Sequence, residues 1–245
     1  MGEMVLKRPG LKIGLNNNQL KIIAIISMFC DHAGLVFFPD KLIFRIIGRL
    51  AFPIFAYMIA EGCKYTKNRL KYFLQVAVLG VICSAVYLIF LQSWYQNILI
   101  TFTLSIALIF AVDYFLQKKN FLSCLIMILT VLAVIFISVI VPEIIKFKDF
   151  EIDYSYIGVL VPVIIYYAPK KWLKLIGLSL ALTWLTVKYG IWYQFYSLIT
   201  VLILALYNGT RGKANLKYLF YLFYPIHLVV IYGIQMLIMY LKYYS

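Results

Sequence analysis

Charge is what this chain of 245 residues has least of. Only 13% of its residues are Asp, Glu, Lys or Arg, about half the share of an ordinary soluble domain. Acids are scarcer still: nine Asp and Glu stand against 23 Lys and Arg, for a formal net charge of +14. No stretch is polar for long enough to form a separate soluble domain. Four cysteines (Cys30, Cys63, Cys83, Cys124) fall in or beside apolar segments without a C-x-x-C pair, so neither a metal site nor a disulfide framework is expected. Residues 1–19 are polar, and no small-residue cleavage site follows the first apolar run, which argues against a cleavable signal. No internal repeat is apparent. No basic patch with interleaved aromatics stands on a soluble module, so no nucleic-acid partner is expected.

What the chain does have is apolar length. Hydrophobic residues make up 64%, with a mean hydropathy of +0.93, the composition of an integral membrane protein. A bilayer core takes about twenty apolar residues per helix. Nine candidate spans follow: 19–38, 42–62, 72–91, 98–116, 121–141, 156–168, 172–187, 191–206 and 217–241. The sixth has the length of a half-span or re-entrant piece, and the seventh and eighth divide at Lys188-Tyr189-Gly190. The expected fold is an all-α membrane protein, a polytopic bundle of about nine transmembrane helices (eight to ten). It forms one integral membrane domain over 1–245, with 1–18 as a cytoplasmic tail.

The charges orient this layout. The tail and every second loop hold Lys7, Arg8, Lys12, Lys21, Lys64, Lys67, Arg69, Lys71, Lys118, Lys119, Lys170, Lys171, Lys174, Arg211, Lys213 and Lys217. The alternate loops and the C-terminus hold Lys41, Arg45, Lys146, Lys148, Lys188 and Lys242, along with the acids Asp40, Glu143, Asp149, Glu151 and Asp153. Basic loops stay on the cytoplasmic side, so the N-terminus is expected there and the C-terminus outside. The net charge also favours anionic lipid. Aromatics near span ends, such as Trp192-Tyr193 and Tyr243-Tyr244, suit interfacial anchoring. Abundant Lys, Ile, Tyr and Asn fit an AT-rich bacterial genome, and hence a multi-pass protein of the bacterial cytoplasmic membrane.

Six ionisable residues lie inside the spans: Asp31, His32, Arg49, Glu61, Asp113 and His227. Such groups are costly at membrane depth and usually face a cavity or a partner. Lys21 borders the set. Lys21 and His32 are eleven residues apart, about three helical turns plus roughly 20°, so they share a helix face about 16 Å apart. His32 and His227 enter from the same side to similar depth and can meet. Arg49 descends about 10 Å from the other side and can approach Asp31. Each has a structural reading too. An Asp–Arg pair can glue a bundle, and His227 beside Pro225 can serve a carbonyl freed by a kink. Glu61 and Asp113, near cytoplasmic span ends, can snorkel or pair with lysines. His32 combines depth, a neighbouring carboxylate and alignment with Lys21, which a merely structural bundle does not need. That chemistry fits proton abstraction by an imidazole, with a carboxylate to fix its tautomer. Ser27 and Cys30 share the helix, but no covalent intermediate is indicated. The aligned cation suits an elongated anionic donor such as an acyl-coenzyme A.

Six motifs, in order along nearly the whole chain, carry a resemblance. They are Leu20-Lys21-Ile22-Ile23-Ala24 with Met28-Phe29-Cys30-Asp31-His32; Gly48-Arg49-Leu50-Ala51-Phe52-Pro53-Ile54-Phe55-Ala56-Tyr57 with Glu61-Gly62; Asn97 with Thr101-Phe102; Asp153-Tyr154 with Gly158-Val159; Tyr207-Asn208-Gly209 with Arg211-Gly212; and Phe223-Tyr224-Pro225-Ile226-His227-Leu228. In these the chain resembles the TraX family, whose named activity is N-terminal acetylation of conjugative F-type pilin. The Lys-x10-His spacing is also similar to a motif of membrane acyltransferases that modify surface polysaccharides from cytoplasmic acyl-coenzyme A. The lysosomal heparan glucosaminide acetyltransferase looks like a relative of the same plan. The resemblance implies His32 as catalytic base with Asp31 its partner. It implies that Lys21, Arg49 and His227 contact the donor or line its tunnel.

The leading expectation is therefore an acetyl-coenzyme A-dependent acetyltransferase without a metal. Its acceptor would be an amine or hydroxyl: a peptide or pilin N-terminus, or a surface glycan or lipid. Two other classes compete. A proton-coupled transporter would also use intramembrane Asp, His, Arg and Glu, and a non-enzymatic assembly or immunity factor would use them only as glue.

Overall fold

The structure, a computed structural model, describes residues 14–145, 149–214 and 216–244. Lys7, Arg8 and Lys12 of the tail, and Lys146 and Lys148, lie outside the described residues. The elements are α1 (Asn17–Phe37), α2 (Leu42–Gly48), α3 (Ala51–Tyr65), α4 (Arg69–Leu91), α5 (Ile98–Lys118), α6 (Phe121–Ile135), α7 (Val141–Ile144), α8 (Ser155–Tyr167), α9 (Lys171–Tyr189), α10 (Ile199–Ala205) and α11 (Lys217–Tyr244). A π turn, Phe136–Ile140, joins α6 to α7, and a 3₁₀ helix, Trp192–Leu198, leads into α10. With breaks joined, nine helical rods form among the described residues. Six of them are long and apolar enough to cross a membrane, and Ser155–Tyr167 and Trp192–Ala205 are shorter. This is a multi-pass membrane protein.

Local chemistry sets the helix ends. Asn16, Asn68, Asn97 and Asn120 each accept a backbone N–H at the start of α1, α4, α5 and α6, the usual work of an asparagine cap. Gly190 closes α9 with φ +63°, where a residue without a Cβ is at ease. Lys188-Tyr189-Gly190 is thus where the seventh and eighth segments divide. Pro142 offers no N–H to the Ser138 carbonyl four residues back; the Ser155 hydroxyl donates to it at 3.1 Å.

The second span is broken. The Arg49 N–H is shared between the Arg45 and Ile46 carbonyls, and the Leu50 N–H reaches back only three residues to Ile47, each at 3.2 Å. This tight turn separates α2 from α3. α1 packs on α2, α3 and α11, while α3 also packs on α5 and α8. Leu20, Ile54, Phe102, Ile106, Ile157 and Leu228 fill the centre.

Two starts lie deep rather than at a surface. Asn97, 1% exposed, donates to the Gly80 carbonyl at 2.8 Å and to Ser84 Oγ at 2.9 Å. Gly80 is near the middle of α4, so α5 begins at half depth. Segment 149–154 follows it there. Gln96 and Ile152 form a parallel bridge, and Thr101 Oγ1 donates to the Asp153 carbonyl at 2.7 Å. The short α8 starts from this point.

Candidate active site

The two histidines meet. His32 Nδ1 and His227 Nε2 are 2.8 Å apart, and His227 Nδ1 lies 2.9 Å from the Phe223 carbonyl oxygen. His227 is held between the rings of Phe223 and Tyr224, at 5.0 and 5.4 Å between centroids. His32 comes from the C-terminal third of α1 and His227 from the turn of α11 that follows Pro225. His227 is buried, whereas His32 keeps some accessible surface.

Asp31 turns away from His32 and toward two arginines. Arg45 Nη1 lies 2.9 Å from Oδ2, and Arg49 Nη2 lies 3.3 Å from Oδ1. Neighbours on a helix point about 100° apart, so the carboxylate expected beside the imidazole serves α2 and the break before α3. Arg49 also donates to Gln194 Oε1 at 3.0 Å and lies over the Tyr193 ring. Gly48 makes the approach possible, because a Cβ there would collide with the Asp31 side chain. On segment 149–154, Tyr95 donates to Asp153 Oδ1 at 2.8 Å.

A cavity of about 740 Å³ opens at the other end of α1. Its mouth carries Lys21, Lys67, Lys71 and Arg211, and Lys21 Nζ lies 5.1 Å above the Phe220 ring. Its deepest lining residues on α1 and α11 are Met28 and Tyr224. Met28 is one turn below His32 and Tyr224 three residues before His227. Phe102 also lines the cavity, and beyond it stands a row of near-parallel rings. Phe102 faces Phe52 at 6.1 Å, and Phe52 faces Tyr154 at 4.0 Å. The row runs from the cavity to the deep segment that carries Asp153.

A family model described as TraX protein matches residues 16–235. The chain belongs to the TraX family. A probable fimbrial assembly protein FimC (serogroup H1) of Dichelobacter nodosus is 27% identical, over 89% of this chain and 95% of its own length. An uncharacterised protein of Rickettsia prowazekii (strain Madrid E) is 34% identical over 82 residues, covering 34% of this chain and 32% of its own. No solved structure matches.

Within this TraX-family chain, Glu61 and Asp113 stand apart from the histidines. Glu61 Oε1 accepts from Lys174 Nζ at 3.1 Å, with both buried. Asp113 accepts from Arg69 at 2.7 Å and from the hydroxyls of Tyr166 and Tyr167. Among the residues expected to form the site, Lys21 is at the cavity mouth, while Asp31, His32, Arg49 and His227 are together beyond its floor. Nothing in the sequence marks Arg45, Gln194 or the cavity cations Lys67, Lys71 and Arg211 as site residues. Arg45 reads as a loop charge. Gln194 sits in a 3₁₀ turn whose apolar neighbours disguise a buried polar contact.

Proposed function

We propose that this chain is a membrane acetyltransferase with His32 as general base. It would take acetyl-coenzyme A through the basic mouth and pass the acetyl group to an amine or hydroxyl beyond the cavity floor. The observation that carries this reading is the cavity itself: cationic at its mouth, apolar within, and ending one turn short of an imidazole. Its volume is in the range of small-molecule sites. The run from Lys21 to His32, about 16 Å along α1, suits a donor with anionic phosphates at one end and a thioester on a flexible arm.

In this scheme the acceptor nitrogen or oxygen attacks the thioester carbonyl, and its proton goes to His32. The new N–C or O–C bond forms as the C–S bond breaks. The thiolate leaves and takes the proton back from His32 as a thiol. Arg49, held by Asp31 and Gln194, keeps positive charge beside the reaction without a mobile partner. Asp31 then acts through the arginines rather than on the ring. Lys21 would hold the donor's anionic end. The basic loops argue for a cytoplasmic N-terminus in a bacterial cytoplasmic membrane. TraX membership and a fimbrial-assembly relative favour a pilin-like N-terminal amine as acceptor, ahead of a glycan or lipid hydroxyl.

Labelled acetyl-coenzyme A and an acceptor peptide, presented to the purified protein in nanodiscs, test the reading. His32→Ala should lower transfer about 10²- to 10⁴-fold. Lys21→Ala should raise the donor KM more than it lowers kcat. Undiminished transfer by His32→Ala would refute the assignment.

A further inference from the structure

We propose that His227 is a positioning residue that holds His32 in one tautomer and shares the proton His32 takes. The inference deepens the acyltransferase reading above and rests on it for the catalytic part. The positioning part stands on hydrogen-bond geometry alone.

A carbonyl oxygen can only accept. Since the Phe223 oxygen lies 2.9 Å from His227 Nδ1, that nitrogen carries the hydrogen. In a neutral ring the other nitrogen is then a lone pair. His227 Nε2 therefore accepts, and the atom 2.8 Å from it, His32 Nδ1, must donate. The direction of the whole chain of bonds follows: His32 Nδ1–H to His227 Nε2, and His227 Nδ1–H to Phe223. What is left over is His32 Nε2, a bare lone pair with no hydrogen-bond partner among the described residues. That is the atom a general base needs.

Ring geometry agrees. The two imidazole planes are 13° apart and their centroids 5.0 Å apart. An N···N separation of 2.8 Å with a ring radius of roughly 1.1 Å at each end gives the same span for rings lying end to end. The rings are therefore nearly coplanar along a straight N–H···N bond, rather than one above the other. Phe223 and Tyr224 hold the His227 ring at this angle. Nearby charge is already committed: Asp31 pairs with Arg45 and Arg49, which leaves His227 as the direct partner of His32.

The arrangement does what a carboxylate does in other catalytic sets, with a neutral acceptor in its place. When His32 Nε2 takes the acceptor's proton, the Nδ1 proton can pass to His227 Nε2. His227 then carries the charge, its Nδ1–H still on the Phe223 carbonyl. When the thiolate recovers a proton from His32 Nε2, the Nδ1 proton returns and the pair is restored.

The chain holds only two histidines, so ring-¹⁵N-histidine labelling of the protein in nanodiscs reports their four ring nitrogens. The wild type should show both residues as the Nδ1–H tautomer, the form free imidazole side chains disfavour. His227→Phe keeps an aromatic ring beside Phe223 but removes the acceptor. His32 should then lose its Nδ1–H preference, and kcat should fall roughly tenfold or more at unchanged donor KM. His227→Gln supplies an acceptor oxygen and should restore part of the rate. Wild-type His32 protonated at Nε2 would overturn the proposal, as would an unchanged His32 tautomer and kcat in His227→Phe. Absence of acetyl transfer from the wild type counts against the acyltransferase reading instead, since the spectra decide the positioning role separately.

Discussion

Gly48 is a point of close approach between α2 and α1. Any Cβ there collides with the Asp31 side chain, and Asp31 is what gathers Arg45 and Arg49. Gly48→Ala should therefore cost about 1–3 kcal/mol by overpacking, read as a lower melting temperature in detergent. It should also lower acetyl transfer, because Arg49 moves with the carboxylate. Much at this scale was legible in the sequence. Depth alone brought Asp31 to Arg49 and His32 to His227. Sequence adjacency also pairs Asp31 with the imidazole, whereas helix geometry turns adjacent side chains about 100° apart and Asp31 meets the arginines instead. Arg45 was hidden for a related reason: a charge at a span border looks solvated until its helix is seen to lean inward.

At the scale of elements, the deep starts of α5 and α8 matter most. Non-helical backbone at membrane depth is tolerated only inside protein or along a wet cavity. Segment 149–154 fits the first condition: it is tied to Gln96 and Thr101 by backbone and hydroxyl bonds. Tyr154 and Ser155 follow at φ 60° and 49°, a left-handed pair without glycine that only a braced segment sustains. Apolar run length and the Gly190 stop made most segment limits readable in the sequence. The half-depth start of α5 was not, because Asn97 looks the same as a cap at a membrane surface or in its middle.

At the scale of the molecule, the mouth of the cavity gathers cations from three distant parts of the chain: Lys21, Lys67 with Lys71, and Arg211. Sequence reading placed them on one side, but not around one opening, since nothing in their spacing says which loops converge. Lys174 with Glu61 is the same case, a pair between α3 and α9 that only the folded bundle shows. Lys71→Gln with Arg211→Gln should raise the donor KM several-fold at low salt and much less at high salt, with kcat held, because exposed charges are screened. Initial rates across a salt series check this. The row of Phe102, Phe52 and Tyr154 stands between that cavity and the deep segment that carries Asp153. If the chain transfers acetyl groups as proposed, a cavity opening from one face thins the layer that keeps the two sides of a membrane electrically apart. The parallel rings of Phe102, Phe52 and Tyr154 stand where that layer would have to be kept.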